Sequence, residues 1–438
     1  MMFEPDAESM PAEQRAGLQE QRLRALVDRL LTLDGVQPAR LRSAGVSAGR
    51  DIGLRDLPRL PMTEKKDLWD AYPLRMLGVD RKEVVAFHGS SGTGGRPTLV
   101  GYTRADLRLW ARMCARALAA AGAAPGSVIH NAYGYGLFTG GLGIHQGAIE
   151  LGAGVVPVSG GMTARQVTLI RDLRPDILTC TPSYAIRLGE ALAEAGLRPG
   201  HGLALRAGLF GAEPWSTQLR TRIEELLGLR ALDIYGLSEV IGPGVAAECA
   251  EAADGLHVNE DHFLVEAVDP VTADPVPDGT AGELVFSSLT REAVPLLRYR
   301  TGDIAALRRG TCECGRTLIR MSKVTGRKDD MLVIRGVNVY PSEIERVLLA
   351  ESAVSPDYVL VVDERDGGRD LIACCERITG RSDDDLRAAL EHRLRDVLGL
   401  RVEVAIVPPG SVPRTEVGKA VRVRRWSGGE PPVAGLRG

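Results

Sequence analysis

Between about residue 105 and residue 234 the sequence alternates helical stretches with short apolar runs, and this alternation restricts the possible folds more than any other feature. Residues 105–121, rich in Ala, Leu and Arg, read as a helix, 155–158 as a buried strand, 163–173 as a helix and 176–180 as a strand. Residues 220–227 give a further helix, followed by a strand over 231–234. Repeated strand–helix units of this kind predict a parallel sheet covered by helices.

The pattern changes after about residue 255. Residues 263–268, 283–286 and 304–307 are β-rich runs separated by Asp, Pro and Gly turns, which predict a β-rich subdomain over about 255–326. Beyond Arg327 a compact α+β unit is expected: a strand over 331–334, a helix over 341–350, strands over 358–363 and 371–375, a helix over 383–398 and a strand over 402–407. The fold class is therefore α/β, with a large N-terminal domain of parallel sheet covered by helices (residues 1–328, including the β-rich subdomain). A small α+β C-terminal domain (329–438) completes it. No internal repeat is present, and only the tail, 427–438, reads as disordered.

Charge and composition exclude several classes of function. Among 438 residues, 54 Lys and Arg face 57 Asp and Glu, a net charge of −3, so there is no electrostatic footprint for nucleic acid or for an anionic membrane. The acidic start MMFEPDAESMPAEQ does not read as a signal peptide, and no apolar run is long enough to span a bilayer. With seven cysteines and no leader, the expectation is a reducing cytoplasm rather than a disulfide framework.

Five segments carry candidate chemistry. HGSSGTGGRP at 88–97 interleaves four glycines with Ser90, Ser91 and Thr93 and ends on Arg96. Its backbone N–H groups and hydroxyls can converge on a phosphate, although no Lys-Ser/Thr pair closes it as in a P-loop. A flexible surface turn is the bland alternative. DIYGLSE at 233–239 combines an aromatic ring, a glycine turn and a carboxylate at the end of a predicted strand, a set able to stack a base and hold a metal–phosphate group. LRYRTGD at 297–303 ends an arginine-rich loop on Asp303, which can accept from both hydroxyls of a ribose or form a surface ion pair. TGRKDD at 325–330 stands at the domain boundary, followed by RGVNVYPSE at 335–343. VPRTEVGK at 412–419 presents one lysine on a glycine-backed loop, a compact cation suited to an anionic centre.

In this order, and over about 13–425, these segments resemble the adenylate-forming superfamily of acyl-CoA synthetases, peptide-synthetase adenylation domains and firefly luciferase, with the phenylacetate-CoA ligase family nearest. PMTEKKD at 61–67, HNAYGYGLFTG at 130–140, GAEP at 211–214 and EDHF at 260–263 strengthen the likeness. The resemblance implies ATP-dependent activation of a carboxylic acid to an acyl-AMP, then transfer to coenzyme A. It implies that Ser90, Ser91, Gly92, Thr93, Gly94, Gly95 and Arg96 cradle the β- and γ-phosphates; the family usually has Lys at Arg96 and Thr at Gly94. Ala212 and Glu213 would line the adenine pocket and Tyr235, beside Gly236, would stack on the adenine. Glu239 would ligate Mg²⁺, Asp303 would hold the ribose with Arg327 nearby, and Lys419 would bridge the attacking carboxylate and the α-phosphate. Asp329 matches the family's hinge, so the C-terminal domain is expected to be mobile and to use two faces for two half-reactions.

In related ligases the 133–146 segment lines the aryl pocket. Tyr133, Tyr135 and Phe138 offer flat walls, and Gly136 and Gly141 let a ring approach the backbone, with core packing as the alternative for each aromatic. His145 and Gln146 could contact a ring hydroxyl or amino group. The family more often has an aromatic at Gln146, which points to a substituted benzoate rather than plain phenylacetate. Cys249, His257, Cys312 and Cys314 could hold a structural zinc, as in some related ligases, or be buried cysteines. Cys374 and Cys375, adjacent on a strand, read as packing, and His262 and His392 as structural or exposed. Two other readings remain open at this point. One is a free-standing aryl-acid adenylating enzyme that loads a carrier-protein phosphopantetheine thiol, against which the absence of a fused carrier domain counts weakly. The other is a non-catalytic zinc-containing binding protein on the same fold. Related ligases are often homodimers, and a second copy as partner is an expectation from the resemblance alone.

Overall fold

The computed structural model describes residues 1–90, 98–328, 332–335, 337–365, 369–378, 382–414 and 420–436. Five strands form the parallel part of the main sheet, in the spatial order Gly154–Pro157, Val128–Asn131, Ile177–Cys180, Ala207–Gly211, Arg230–Leu237. The chain returns between them through the helices Gly140–Leu151, Thr163–Leu173, Pro182–Glu194 and Thr217–Leu227. Thr181 and Ser216 cap Pro182–Glu194 and Thr217–Leu227 by accepting the N–H of Tyr184 and Leu219, and Gly152 and Gly228 close Gly140–Leu151 and Thr217–Leu227 at positive φ. The chain runs from Val128–Asn131 out to Gly154–Pro157 and then back across to Ile177–Cys180. The loops leaving the carboxyl ends therefore diverge, which opens a crevice at that edge.

The sheet continues antiparallel through Gly242–Ala247 and Leu256–Val258, then through Arg320–Met321 to Tyr299–Arg308, Ala281–Ser288 and Phe263–Val268. The helix Arg104–Ala120 lies very close to Gly140–Leu151. A Cβ on Gly143 would sit 2.5 Å from the Trp110 ring, and one on Gly147 would sit 2.4 Å from Cys114 Cβ. Buried Trp110 stacks on Tyr102, and both belong to a core shared by the two halves of the sheet.

A separate four-stranded sheet forms the C-terminal part, in the order Glu403–Val407, Asp370–Arg377, Val354–Asp363, Val423–Trp426. Helices Pro341–Leu349 and Asp383–Leu398 cover one face, where Cys375 is buried, while Cys374 faces the other side with Trp426. The tail departs from expectation. Val433 and Leu436 are buried against that second face and Arg424 donates to Pro432 O, so the tail packs through 436 rather than being disordered. Its two apolar anchors are too sparse to register as an element in the sequence. No described helix is long and apolar enough to cross a membrane.

Candidate active site

The motifs converge on the carboxyl edge of the parallel strands. Ser90 ends the strand Ala86–Ser90, and its hydroxyl donates to Glu239 Oε1 at 3.0 Å. Glu239 follows the strand Arg230–Leu237 and is only 5 % exposed. Its turn is held from behind by buried Arg291, which donates to the carbonyls of Ser238 (3.2 Å), Glu239 and Gly101 (3.2 Å) while lying 4.7 Å over the Tyr102 ring. Gly101 lies opposite Phe87 in the Ser90 hairpin, so one guanidinium ties the hairpin to the Glu239 turn.

A second group lies beside the first. Strand Tyr299–Arg308 pairs Asp303 with Arg327, and Arg327 Nη1 reaches Asp303 Oδ1 at 2.6 Å. Tyr235 donates its hydroxyl to Asp303 Oδ2 at 2.7 Å and stacks on Phe286 at 5.9 Å. Burial, with the Asp303 charge beside it, holds the Tyr235 phenol well above its ordinary pKa, so it stays a donor at neutral pH. Gly236 lies exposed next to it. Deeper on the same strand, burial and the Glu248 charge push the Asp233 carboxyl up to about 7. Ala212 follows the strand Ala207–Gly211 with φ +70°, a strained conformation for a side-chain-bearing residue. Next to it Glu213 Oε1 accepts the Ser183 N–H at 2.8 Å, and its other oxygen accepts the Ala420 N–H at 3.1 Å.

The acid-pocket candidates separate. Asn131 donates to Tyr135 Oη (2.7 Å) and to Gly141 O (2.8 Å), and the Tyr135 hydroxyl lies 3.2 Å from His145 Nδ1. Burial pushes the Tyr135 phenol up to about 12. His145 and Gln146 are half-buried on the helix Gly140–Leu151, beside this polar chain. Tyr133 instead packs in the core, its hydroxyl 3.4 Å from Leu209 O. Phe138 is 54 % exposed, and Gly136 is exposed as well.

Cys249, His257, Cys312 and Cys314 come together at the far side of the sheet, their ligand atoms all within 4.8 Å of one another. The Cys249 and Cys312 sulfurs lie 3.8 Å apart and Cys314 Sγ lies 3.6 Å from His257 Nε2. A tetrahedron with metal–sulfur bonds of about 2.3 Å has an edge of about 3.8 Å. Gly315 at φ +85° lets the turn fold back, with its N–H on Cys312 O and the Cys312 N–H on Arg316 O. Of the remaining site expectations, Ser91, Gly92, Thr93, Gly94, Gly95, Arg96, Asp329 and Lys419 lie outside the described residues. The sequence reading missed Arg291, Asn131 and Asp233. Asn131 and Asp233 lie inside the 130–140 and 233–239 motifs, whereas nothing local marks Arg291.

A strand-edge crevice that pairs Ser90 with Glu239 and gathers Tyr235, Asp303 and Arg327 defines an adenylate-forming enzyme. Residues 56–290 match the AMP-binding enzyme family and residues 336–425 the AMP-binding enzyme C-terminal domain. The chain is 48% identical to the phenylacetate-coenzyme A ligase of Thermus thermophilus over 97% of its own length and 99% of that protein. Its structure matches a 2-hydroxyisobutyryl-CoA ligase in the postadenylation state with R3-HIB-AMP, at a TM-score of 0.89 and 30% identity over 97% of this chain and 92% of the other. Against the same ligase with 2-HIB-AMP and CoA in the thioesterification state, the TM-score is 0.72 at 31% identity, over 96% and 91%. The chain belongs to the phenylacetate-coenzyme A ligase family of AMP-binding enzymes, and is an AMP-forming acid–CoA ligase that uses ATP and coenzyme A.

Proposed function

We propose that the acid is aromatic, of the phenylacetate or substituted-benzoate type. Its carboxylate oxygen attacks the α-phosphorus of ATP and pyrophosphate leaves. The thiol sulfur of coenzyme A, having given up its proton, then attacks the acyl carbon, and AMP leaves. The observation that carries this reading is the placement of Ser90–Glu239 and Tyr235–Asp303–Arg327 side by side at the carboxyl edge. Tyr235 and Ala212 then frame the adenine, and Asp303, oriented by Arg327 and the Tyr235 hydroxyl, accepts from the ribose. Magnesium held at Glu239 would neutralise phosphate charge. Lys419 serves adenylation only, and the C-terminal domain, starting near 329, carries it to and from the site. The Asn131–Tyr135–His145 chain supports a ring carrying a polar substituent, because such a substituent can join the chain of hydrogen bonds and a plain ring cannot.

ATP–pyrophosphate exchange over a panel of phenylacetates and hydroxy- and aminobenzoates tests the substrate class. Exchange with at least one of them is expected, and exchange with none overturns the reading. With that acid, coenzyme A is expected to accept the acyl group, whereas transfer only to a phosphopantetheinyl carrier protein would place the chain among carrier-loading enzymes. Lys419→Ala should lower exchange by about 10²–10³-fold and leave thioester formation from supplied acyl-adenylate intact.

The Cys249, His257, Cys312 and Cys314 cluster is read as a structural zinc site. Three sulfurs and an imidazole suit that ion, and the sulfur spacing fits a closed tetrahedron without an open position for substrate.

A further inference from the structure

Two carboxylates cross the joint between the main sheet and the C-terminal sheet in opposite directions. Glu213, on the N-terminal side, accepts the Ala420 N–H at 3.1 Å while its other oxygen is held by the Ser183 N–H. Glu345, on the helix Pro341–Leu349 of the C-terminal side, accepts the Ser216 N–H at 3.1 Å and the Tyr358 hydroxyl at 2.7 Å. Arg422 lies 4.4 Å over the Tyr358 ring and spreads its charge toward Glu345 and Glu213. Around this pair the joint is polar, with a small cleft lined in part by Glu190, Asp357 and Arg414.

Such a joint is specific to one orientation. Glu345 is 6 % exposed and both its oxygens have donors. Rotating the C-terminal part would take the Ser216 and Ala420 donors away from both carboxylates at once, and a buried carboxylate stripped of a donor is costly. An apolar joint would hold on through many similar orientations, whereas two crossed hydrogen bonds to backbone N–H groups hold in one. That orientation is the one that matches the postadenylation relative at 0.89 rather than the thioesterification state at 0.72.

We propose that Glu345 and Glu213 form a two-part latch that holds the C-terminal domain in the acid-activating orientation and must open before the thioester step. Glu213 fixes the backbone next to Lys419, so the latch rests on the role given to that lysine above. Both carboxylates are positioning residues, and neither is assigned a chemical step.

Glu345→Gln is the test variant because it keeps the shape and one acceptor but cannot receive both donors. Pyrophosphate exchange by the full chain is expected to fall at least tenfold, while thioester formation from supplied acyl-adenylate and coenzyme A is unchanged or faster. Tyr358→Phe removes the bond that orients Glu345, leaves the ring beneath Arg422 and should show the same split in smaller measure. It carries the test if Glu345→Gln does not fold. Equal loss of both half-reactions in these variants, or wild-type exchange in both, overturns the latch. Lys419→Ala separates the causes. If it loses only exchange while the latch variants exchange normally, the latch alone is wrong. If it loses both half-reactions equally, the role of Lys419 fails and the latch falls with it.

Discussion

Arg291 spends a single guanidinium on three carbonyls from two segments far apart in sequence, those of Ser238 and Glu239 and that of Gly101. Ser238 and Glu239 lie past the end of the strand Arg230–Leu237, so this side chain, shared with Gly101, sets the distance between the Ser90 hairpin and the Glu239 turn. Arg291→Met should cost about 2–4 kcal/mol by leaving those acceptors buried and unmet. Arg291→Lys should recover part of that loss, because an ammonium reaches one or two of them. Urea unfolding measures the first effect. The KM for ATP should rise in the Met variant well beyond any change in the KM for the acid, as expected if the residue positions the phosphate side of the site. This role has no signature in the sequence because it is defined by contacts 52 to 190 positions away. Tyr235, Asp303 and Arg327 are legible because each sits in a short motif whose chemistry is local. Tyr133 shows the opposite failure, since the same glycine-rich run supplies both Tyr135, hydrogen-bonded to Asn131, and a ring that belongs to the core.

At the scale of elements, the alternating runs place the parallel strands at 155–158, 176–180 and 231–234 and the crossover helices at 163–173 and 220–227 to within a few residues. They do not place the strands Val128–Asn131 and Ala207–Gly211 or the helix Pro182–Glu194, whereas 163–173, 263–268 and 383–398 coincide with the structure. Gly140–Leu151 was not legible as a helix. Its glycines at 140, 141, 143 and 147 suppress helix propensity, which is the signal a sequence reading uses. The structure supplies their reason, since at Gly143 and Gly147 the backbone approaches Arg104–Ala120 more closely than any side chain permits. A methyl group at 147 would meet Cys114 Cβ at 2.4 Å and its carbonyl carbon at 2.8 Å, and a backbone atom cannot swing aside. Gly147→Ala should therefore destabilise the chain by about 1–3 kcal/mol or more despite its better helix propensity, a loss readable as a lower melting temperature. Because the same helix carries His145, displacement should also raise the KM for the acid, with the KM for ATP little changed. A stabilised variant would mean that the two helices can part without strain.

The molecule as a whole joins regions that the sequence separates. The orientation of the C-terminal sheet could not be foreseen, since Ser216 and Glu345 stand 129 positions apart and each motif reads the same in any orientation. The Cys249–His257–Cys312–Cys314 cluster differs, because the resemblance names all four residues and only their proximity comes from the fold. Its one-residue Cys312–Cys314 spacing is unpersuasive in sequence, whereas the fold brings Cys249, just past the strand Gly242–Ala247, and His257, on Leu256–Val258, beside it. The cluster also anchors the start of the chain. Arg316, two residues beyond Cys314, pairs with buried Glu8 at 2.6 Å and donates to Met1 O at 2.8 Å, while Arg116 pairs with Glu4. If zinc closes the cluster, losing it should loosen both the Cys312–Arg316 turn and the N-terminal segment that rests on it. Purified protein should then hold about one zinc per chain, and Cys312→Ser should hold much less. A loss of a few kcal/mol would lower the melting temperature by roughly 5–10 °C. Cleavage by a protease should appear within the first ten residues before anywhere else. The crevice at the carboxyl edge contains none of these four residues, so pyrophosphate exchange by the folded fraction at low temperature should survive removal of zinc once the chelator is washed out and magnesium is restored. Full occupancy with no change in melting temperature or cleavage on removal would make the metal incidental to the fold, and no metal at all would return the four residues to ordinary buried side chains.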